Sequence, residues 1–380
     1  MNTLSLTLKL PFYRLNQAKS QEFERLTNIN TMVANSLLEI DKRERKKLTS
    51  ADFKHVEIGS MWINQTIRNT NAKTKVKKFK RMWLEVNNQG FEIIKSGELY
   101  TLSFSLYRGR KGRIPLSVHP TSHTEILDKI ITKVAKLGSL KLCKSKKGIW
   151  YALVCVSMEV PDAIQVTSWI GIDRGQNNIA VAALPKGFGK FWKGGRIKNL
   201  RRRYQRIRKS LQKAKQLKEV KRLEQHEKRI MTHINHIISK QLVKFASDYE
   251  MGLRLEDLSG CRQSMKQRKK TKSDAANNRD SWAFYQLGQF ITYKAIKAGV
   301  RVEFIPAPYT SKSDHRNGVI GKRNGDWFKG FDGYKCNADW NASQNIGQWL
   351  GFSCPLGLQK AISVMDMDDA KGGVYDSPLN

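Results

Sequence analysis

Residues 169–183 read Trp-Ile-Gly-Ile-Asp-Arg-Gly-Gln-Asn-Asn-Ile-Ala-Val-Ala-Ala. An apolar run, a short polar stretch and a second apolar run predict a strand, a turn and another strand. Asp173 stands where the first of these strands ends. Because an acid in that position caps a turn more often than it binds a ligand, Asp173 alone does not indicate a site.

Two further acids occupy comparable positions later in the chain. Glu256 lies near the end of a short apolar segment at 252–258, which predicts a strand, and Asp339 opens a predicted helix at 338–350. Each has the same alternative role as a cap, but together they favour a divalent metal site, because phosphoryl transfer needs clustered oxygen ligands. Asp257 follows Glu256 directly and therefore points to the opposite face of a strand, which makes it the weaker candidate.

The charge of the chain predicts its partner. Lys and Arg number 69 and Asp and Glu 33 among 380 residues, for a net charge of +36. Such self-repulsion brings an ordinary metabolic enzyme no benefit, whereas a protein that neutralises phosphates carries it routinely. A charged surface that only confers solubility is the weaker alternative, since mixed signs or excess acid serve solubility better. Composition therefore predicts a nucleic acid partner.

Several classes of protein are excluded by the same sequence. The apolar runs fall short of the roughly 18 residues that a membrane span requires, and the strict alternation at 4–10 predicts a strand rather than a signal peptide. The five cysteines are scattered without Cys-x-x-Cys spacing, which argues against a disulfide framework. We therefore expect no membrane partner and a reducing, cytoplasmic setting.

The pattern along the chain predicts an α+β multidomain protein. Residues 17–90 have mainly helical periodicity, whereas residues 1–16 and 91–166 contain short alternating strands, which predicts a small β-barrel or sandwich with a helical insertion. A second domain is predicted at 167–350, with a basic helical insert at 193–248 and a Gly-, Asp- and Lys-rich region at 310–336. The C-terminal tail at 351–380 is expected to be flexible.

Three segments together resemble the RuvC motifs of the TnpB family, which comprises transposon-encoded, RNA-guided DNA endonucleases related to the compact type V CRISPR effectors. They are Gly-Ile-Asp-Arg-Gly at 171–175, Leu-Glu-Asp-Leu at 255–258 and Ala-Asp-Trp-Asn-Ala-Ser-Gln-Asn-Ile at 338–346. Residues 282–294 and 307–311 also resemble that family. The resemblance covers about half of the chain, from 169 to 350. Each motif is weak by itself, but the three in order with the basic insert after the first are specific.

The resemblance implies an RNase H-like RuvC nuclease domain that follows a wedge-like β-barrel with a helical recognition insertion. It implies that Asp173 is shared between two Mg²⁺ or Mn²⁺ ions, while Glu256 holds one ion and Asp339 the other. It also implies a structured guide RNA and a double-stranded DNA target with a short adjacent motif as partners. A bacterial-type cytoplasm, action at the nucleoid and a monomeric state are the corresponding expectations.

The sequence departs from the family at a zinc knuckle. Relatives usually carry four cysteines between the Thr-Ser pair at 310–311 and the third motif. Cys336 and His315 remain near this region, but two ligands do not make a structural zinc site. We therefore expect no zinc, and a degenerate zinc-knuckle loop or small hairpin at 310–336. The positions that align with the four cysteines are Asp314, Asn317, Lys329 and Asp332.

Two basic segments, at 73–81 and 193–229, predict contacts to nucleic acid. With few acids to pair against, phosphate contact is favoured over a merely solvated helix face. Near-helical spacing of Gln65, Asn69 and Lys73 also suggests base reading, although exposed amides are commoner than amides that read bases. The candidates for phosphate contact are Arg201, Arg202, Arg203, Arg206, Arg208, Lys209, Lys73, Lys77 and Lys78.

Two alternatives to an RNA-guided endonuclease remain open at this point. A nuclease-silent, RNA-guided repressor would normally have lost one of the acids, and all three are present. A guide-independent RuvC-type resolvase would need neither the basic insert nor the N-terminal half.

Overall fold

The computed structural model describes residues 2–349 apart from 74, 108–109, 120–121, 176, 186, 259–283 and 307–309. The chain divides into two compact units, Met1–Glu159 and Val160–Asn380. The predicted tail at 351–380 lies outside the described residues, as do most of the resemblance segments at 307–311 and the first two residues of 282–294. No described helix is long and apolar enough to span a membrane.

The first unit combines helices with two antiparallel sheets. Helix α1 follows the predicted amphipathic pattern, because Phe23, Leu26 and Leu37 are fully buried on one face. Phe23 contacts Phe104 and Trp150, so this face packs on the strands. The elements are β1 (Asn2–Pro11), α1 (Gln17–Glu39), α2 (Lys42–Arg45), α3 (Ser60–Asn71), β2 (Glu85–Val86), β3 (Phe91–Ser96), β4 (Leu99–Tyr107), β5 (Arg110–Pro115), α4 (Ser122–Ile131), β6 (Ala135–Lys144) and β7 (Trp150–Val160).

Two predictions for this unit are wrong in the described residues. The strands do not form a closed barrel: they form one sheet in the order β1-β7-β6-β2 and a second in the order β3-β4-β5. Within the described ranges an isolated bridge between Phe12 and Leu116 joins strand ends of the two sheets, whereas closure requires a continuous ladder. The helical prediction for 17–90 is also too broad, because α3 ends at Asn71 and residues 75–84 are irregular.

The second unit is built on a mixed five-stranded sheet, as the resemblance implied. Its strand order is β10-β9-β8-β11-β12. Strands β8, β9 and β10 are antiparallel neighbours, while β8, β11 and β12 run parallel. The elements are β8 (Trp169–Asp173), β9 (Asn178–Ala183), β10 (Gly189–Lys193), α5 (Gly195–Lys213), α6 (Leu217–Asp248), β11 (Gly252–Asp257), α7 (Phe284–Lys297), β12 (Val302–Pro306), β13 (Lys322–Asn324), β14 (Trp327–Lys329), β15 (Lys335–Asn337) and α8 (Ala338–Gly347).

Helices cover both faces of this sheet. On one face Ile170, Ile172, Leu253 and Leu255 form a core with α6 and α7. On the other face α8 lies directly on β8: a Cβ at Gly171 would stand 1.9 Å from the carbonyl oxygen of Ser343. The close approach therefore requires glycine at position 171, and it brings the first turn of α8 to the end of β8.

Strands β13, β14 and β15 form a small antiparallel sheet that leads directly into α8. The predicted loop or small hairpin at 310–336 is thus a three-stranded structure. Phe328 is its fully buried side chain, and it pairs across the strands with Arg323 and Cys336. This sheet places Arg323 on β13, the strand that begins the hairpin.

Candidate active site

Strand alternation turns two of the three acids toward α8. Gly171 faces α8, so Asp173, two residues later on β8, lies on the same face. Arg254 of β11 donates to the carbonyl oxygen of Gly347 at the end of α8 (3.1 Å), so Glu256 shares that face. Strands β8 and β11 pair in parallel with Leu255 opposite Ile172, which brings Glu256 next to Asp173.

The third acid comes from the first turn of α8. Asn337 caps this helix, because its side-chain oxygen accepts from the backbone N–H groups of Asp339 (3.1 Å) and Trp340 (3.0 Å). Asp339 is buried, with 4% of its surface exposed. The Ser343 hydroxyl donates to the carbonyl oxygen of Val181 (2.9 Å) and ties the helix to β9. Three separate elements therefore supply one cluster of carboxylates.

The electrostatics show that the other two acids act on Asp173. Burial raises the pKa of Asp173 well above its ordinary value, and the charges of Glu256 and Asp339 raise it further. Burial also raises the pKa of Glu256, against the lowering effect of a hydrogen bond from Thr310. Like charges disfavour each other's ionised form, so these carboxylates leave a deficit of positive charge around Asp173.

Two arginines partly offset this deficit. Both Arg174 and Arg323 lower the pKa of Asp173 and of Glu256 through their charge. Arg323 donates from Nη2 to Oδ1 of Asp339 (2.6 Å), and Asn178 donates to the other oxygen of that carboxylate (2.8 Å). Arg174 donates to the carbonyl oxygens of Glu256 and Phe284, and the Thr310 hydroxyl donates to Glu256 Oε1.

These neighbours were not among the predicted site residues. Arg174 lies inside the first motif, so its position next to Asp173 was a usable signal. Arg323 is 16 residues from Asp339 and reaches it only because the β13–β14 hairpin folds back over the helix start. That contact is non-local and has no sequence pattern of its own.

Whether this cluster fits a divalent cation can be judged from its donor set. Three carboxylates are the hard oxygen ligands that Mg²⁺ and Mn²⁺ prefer. No group of three His, Cys, Asp or Glu side chains in the described part of the chain is arranged as a ready metal site. Each carboxylate has about four lone-pair positions, so the hydrogen bonds to Asp339 and Glu256 leave acceptor capacity unused. The chemistry of this donor set therefore suits a divalent cation.

Asp257 lies where strand alternation predicted. It is the last residue of β11 and exposed, while Glu256 beside it is half-buried within the carboxylate cluster. The two neighbouring acids therefore have different surroundings, which makes Asp257 a natural control for Glu256.

The basic insert is a helical hairpin, and its arginines fall into two groups. Arg201 and Arg208 form ion pairs with Glu227 of α6, at 3.4 Å for Arg201, and all three side chains are largely buried or half-buried. Arg202, Arg203 and Arg206 of α5 are exposed, as is Lys209. The first group joins the two helices, whereas Arg202, Arg203 and Arg206 present charge to solvent.

The predicted base-reading residues have partners within the chain. Gln65 donates to Asn69 (3.1 Å), and Asn69 donates to Glu85 (3.1 Å), which also pairs with Lys141 (2.6 Å). Lys73 lies beyond the end of α3, so the helical spacing with Gln65 and Asn69 that the sequence suggested does not extend to it. Like Lys77 and Lys78, it is exposed.

Two of the four positions that align with zinc ligands are joined by an arginine, and the other two have separate surroundings. Asp314 and Asp332 both bind Arg316, while Asn317 accepts from the backbone N–H of Val319 (3.0 Å). Lys329 is exposed on β14. His315 binds Asn341 of α8 through its backbone N–H (3.0 Å).

The mixed sheet and the three carboxylates on its elements can be compared with known proteins. Residues 284–346 match the family described as Cas12f1-like, TNB domain. The chain is 25% identical over 243 residues to the CRISPR-associated endodeoxyribonuclease Cas12f1 of Sulfoacidibacillus thermotolerans, which covers 58% of this chain and 55% of that one.

A second curated relative and a solved structure are also similar to this chain. The Cas12f1 endodeoxyribonuclease of Syntrophomonas palmitatica is 23% identical over 278 residues, covering 63% of this chain and 53% of its own. The fold is similar to that in a cryo-EM structure of a Cas12f1-sgRNA-target DNA complex, with a TM-score of 0.67, 14% identity and coverage of 92% of this chain and 99% of that chain. The chain spans about half the length of the curated relatives it matches.

These findings confirm the resemblance predicted from the motifs: the chain is similar to compact type V, TnpB-like effectors. A transposon association stays a prediction.

Proposed function

We propose that this protein is an RNA-guided DNA endonuclease. It binds a structured guide RNA, recognises a short motif next to the target and cleaves the target DNA in the RuvC-like domain. The observation that carries this proposal is the meeting of Asp173, Glu256 and Asp339, from three separate elements, on the α8 face of the sheet. The names of the matched relatives, endodeoxyribonucleases, support the same reaction.

The three carboxylates would hold the metal, with Asp173 shared between two ions and Glu256 and Asp339 each holding one. Bound Mg²⁺ or Mn²⁺ supplies a nucleophilic water at neutral pH and positive charge for the attacking and leaving oxygens. The charges of Glu256 and Asp339 both act on Asp173, which suits Asp173 to the shared role.

The other residues of the site hold these carboxylates in place. Arg323 and Asn178 each donate to one oxygen of Asp339, so that carboxylate has a single orientation. Arg174 and Thr310 fix Glu256 through its carbonyl and its carboxylate. A site whose ligands are already oriented pays less to organise itself when substrate arrives.

The net charge of +36 supports guide RNA and DNA as partners. In that arrangement base pairing with the RNA reads the target, and the protein reads backbone shape and the adjacent motif. The exposed face of α5, with Arg202, Arg203 and Arg206, is our strongest candidate for phosphate contact. The similar solved structure, a Cas12f1 complex with sgRNA and target DNA, supports the same partners.

Cleavage is expected to require a divalent metal other than zinc. EDTA should abolish activity and Mg²⁺ or Mn²⁺ should restore it, because the donor set consists of hard oxygens. Elemental analysis of the purified protein should show no stoichiometric zinc. Undiminished cleavage in EDTA would contradict the carboxylate site, and one zinc per chain would mean that Cys336 or His315 has ligand partners that we did not identify.

Variants of the two groups of arginines on the basic hairpin should differ in the salt dependence of their affinity for guide RNA. Replacing Arg202, Arg203 and Arg206 by Gln removes exposed charge, so the slope of log affinity for guide RNA against log salt should fall by about 2–3. Replacing Arg201 and Arg208 by Gln should mainly lower the melting temperature, since Glu227 loses both ion-pair partners. Equal salt slopes for the first triple variant and the wild type would exclude phosphate contact on that face.

A further inference from the structure

The segment between β12 and α8 contains a charge cluster that the proposed reaction does not use. Arg316 donates from Nε and Nη2 to the two oxygens of Asp314 (3.0 and 2.7 Å) and from Nη2 to both oxygens of Asp332 (2.9 and 2.8 Å). Its guanidinium group lies 3.7 Å from the centre of the Tyr334 ring. We name these four residues the Arg316 clamp.

The clamp joins two tight turns of the backbone. The first turn, 314–318, is closed by a bond from the Gly318 N–H to the Asp314 carbonyl (2.6 Å). The second turn, 330–334, is closed by a bond from the Gly330 N–H to the Tyr334 carbonyl (2.8 Å). Asp332 also accepts from the Tyr334 N–H (3.1 Å) and so belongs to the second turn. Arg316 therefore links points that are 16 residues apart in sequence.

The backbone is shaped to admit this link. A Cβ at Gly330 would stand 2.6 Å from Oδ2 of Asp314 and 2.8 Å from Oδ1 of Asp332. Only glycine lets the second turn approach the two carboxylates this closely. Asp314 is almost fully buried, with 1% of its surface exposed, so its charge depends on Arg316.

The residues between the two turns form the hairpin of β13 and β14, which carries Arg323. The tip of the hairpin has its own anchors, since Asn177 donates to Asp326 (2.8 Å) and the Ala338 N–H donates to the Asp326 carbonyl (2.9 Å). The clamp holds the opposite end. Arg323 lies between these two anchors and donates to Asp339.

The first turn is also attached to α8. Asn341 donates to the Ser313 carbonyl (2.6 Å), and Asn345 donates to the carbonyls of Thr310 (2.8 Å) and Ser313 (2.7 Å). The second turn is joined to the first turn, and through it to α8, in part by Arg316. Apart from Phe328, the three-stranded sheet buries few apolar side chains, and small units of this kind need a cross-link.

We propose that Arg316 is a positioning residue for DNA cleavage: by holding the two turns together, it sets the hairpin so that Arg323 orients the carboxylate of Asp339. This inference rests on the proposed function. It assigns to an arginine and two aspartates the cross-linking task that a metal or a disulfide performs in many small units.

The test is a set of single-turnover cleavage rates at saturating target DNA with the RNA-loaded protein. Arg316→Gln and Asp332→Asn should each slow cleavage at least about tenfold while the Kd for target DNA stays within about twofold, because only the hairpin is released. Asp332→Asn keeps the acceptor for the Tyr334 N–H and leaves Asp314 paired, so it remains informative if Arg316→Gln fails to fold. Lys335→Gln, which removes one exposed positive charge from the same sheet, is the matched control and should cleave at the wild-type rate.

A double-mutant cycle separates positioning from general support. If Arg316 acts through Arg323, then Arg316→Gln combined with Arg323→Gln should be no slower than Arg323→Gln alone. Additive losses, or wild-type rates in both clamp variants, would overturn the proposal.

A second measurement does not depend on activity. Amide hydrogen exchange in 321–329 should accelerate in Asp332→Asn while exchange in β8 and β11 stays unchanged. If the wild-type protein does not cleave DNA but Asp332→Asn shows this faster exchange, the proposed function is contradicted. The Arg316 clamp is then a structural link only. Active wild-type protein with unchanged exchange in the variant would contradict the clamp alone.

Discussion

Replacing Asp173 by Asn is expected to slow target cleavage by at least about 10³-fold, which corresponds to about 4 kcal/mol of transition-state stabilisation. Asn keeps the shape of the side chain and removes the charge that both metal ions share in our proposal. Target binding should survive or tighten slightly, since the guide pairing and phosphate contacts lie elsewhere and a negative charge is lost. Plasmid-cleavage time courses beside gel-shift titrations measure both quantities.

Variants of the neighbouring acids control this result. Glu256→Gln and Asp339→Asn should be nearly as severe, and combinations should add little, because the three carboxylates act as one unit. Asp257→Asn changes an adjacent, exposed carboxylate on the other face of β11 and should stay within about tenfold of the wild-type rate. Equal losses of cleavage rate in Glu256→Gln and Asp257→Asn would show that the face of β11 on which an acid lies does not decide whether it takes part in cleavage. Joint loss of binding and cleavage would indicate misfolding.

The second large effect concerns the guide. The purified protein should carry a structured RNA, since a chain with a net charge of +36 binds polyanions strongly at moderate salt. Removing that RNA should abolish sequence-specific cleavage, because base pairing rather than the protein reads the target. The ratio of absorbance at 260 and 280 nm and sequencing of the bound RNA test the first statement, and cleavage before and after RNA removal tests the second.

The alternatives predict other outcomes of the same experiment. A guide-independent resolvase would cut DNA equally well after RNA removal. A nuclease-silent repressor would retain guided binding and would not cut with Mg²⁺ or Mn²⁺ present. Either result would contradict the proposal in a distinguishable way.

The sequence predicted those features of the fold that depend on local patterns. The apolar runs of β8 and β9, the helical periodicity of α1 and the start of α8 at Ala338 all follow from residue patterns within a single element. The glycine at 171 was visible as part of a motif, although its reason, the close approach of α8, appears only in three dimensions.

Features that depend on distant partners were not predictable in this way. Arg201 and Arg208 were predicted to contact phosphate, but they pair with Glu227, which is 26 and 19 residues away along the chain. Strands β13, β14 and β15 have three residues each, too few to show an alternating pattern. The pattern left a barrel or a sandwich open for the first unit, and the resemblance implied the barrel, because alternation identifies strands and says nothing about their pairing.

The most direct test of the account is a comparison of two RNA-loaded proteins, wild type and Asp173→Asn, on plasmids that match or mismatch the bound guide. Target plasmids are built from the sequenced RNA and flanked by a randomised adjacent motif. We expect wild-type protein with Mg²⁺ to cut only matched plasmids that carry a restricted set of motifs, and Asp173→Asn to bind the same plasmids without cutting them. Cleavage of matched plasmids by Asp173→Asn at the wild-type rate, or equal cleavage of mismatched plasmids by the wild type, would contradict the account.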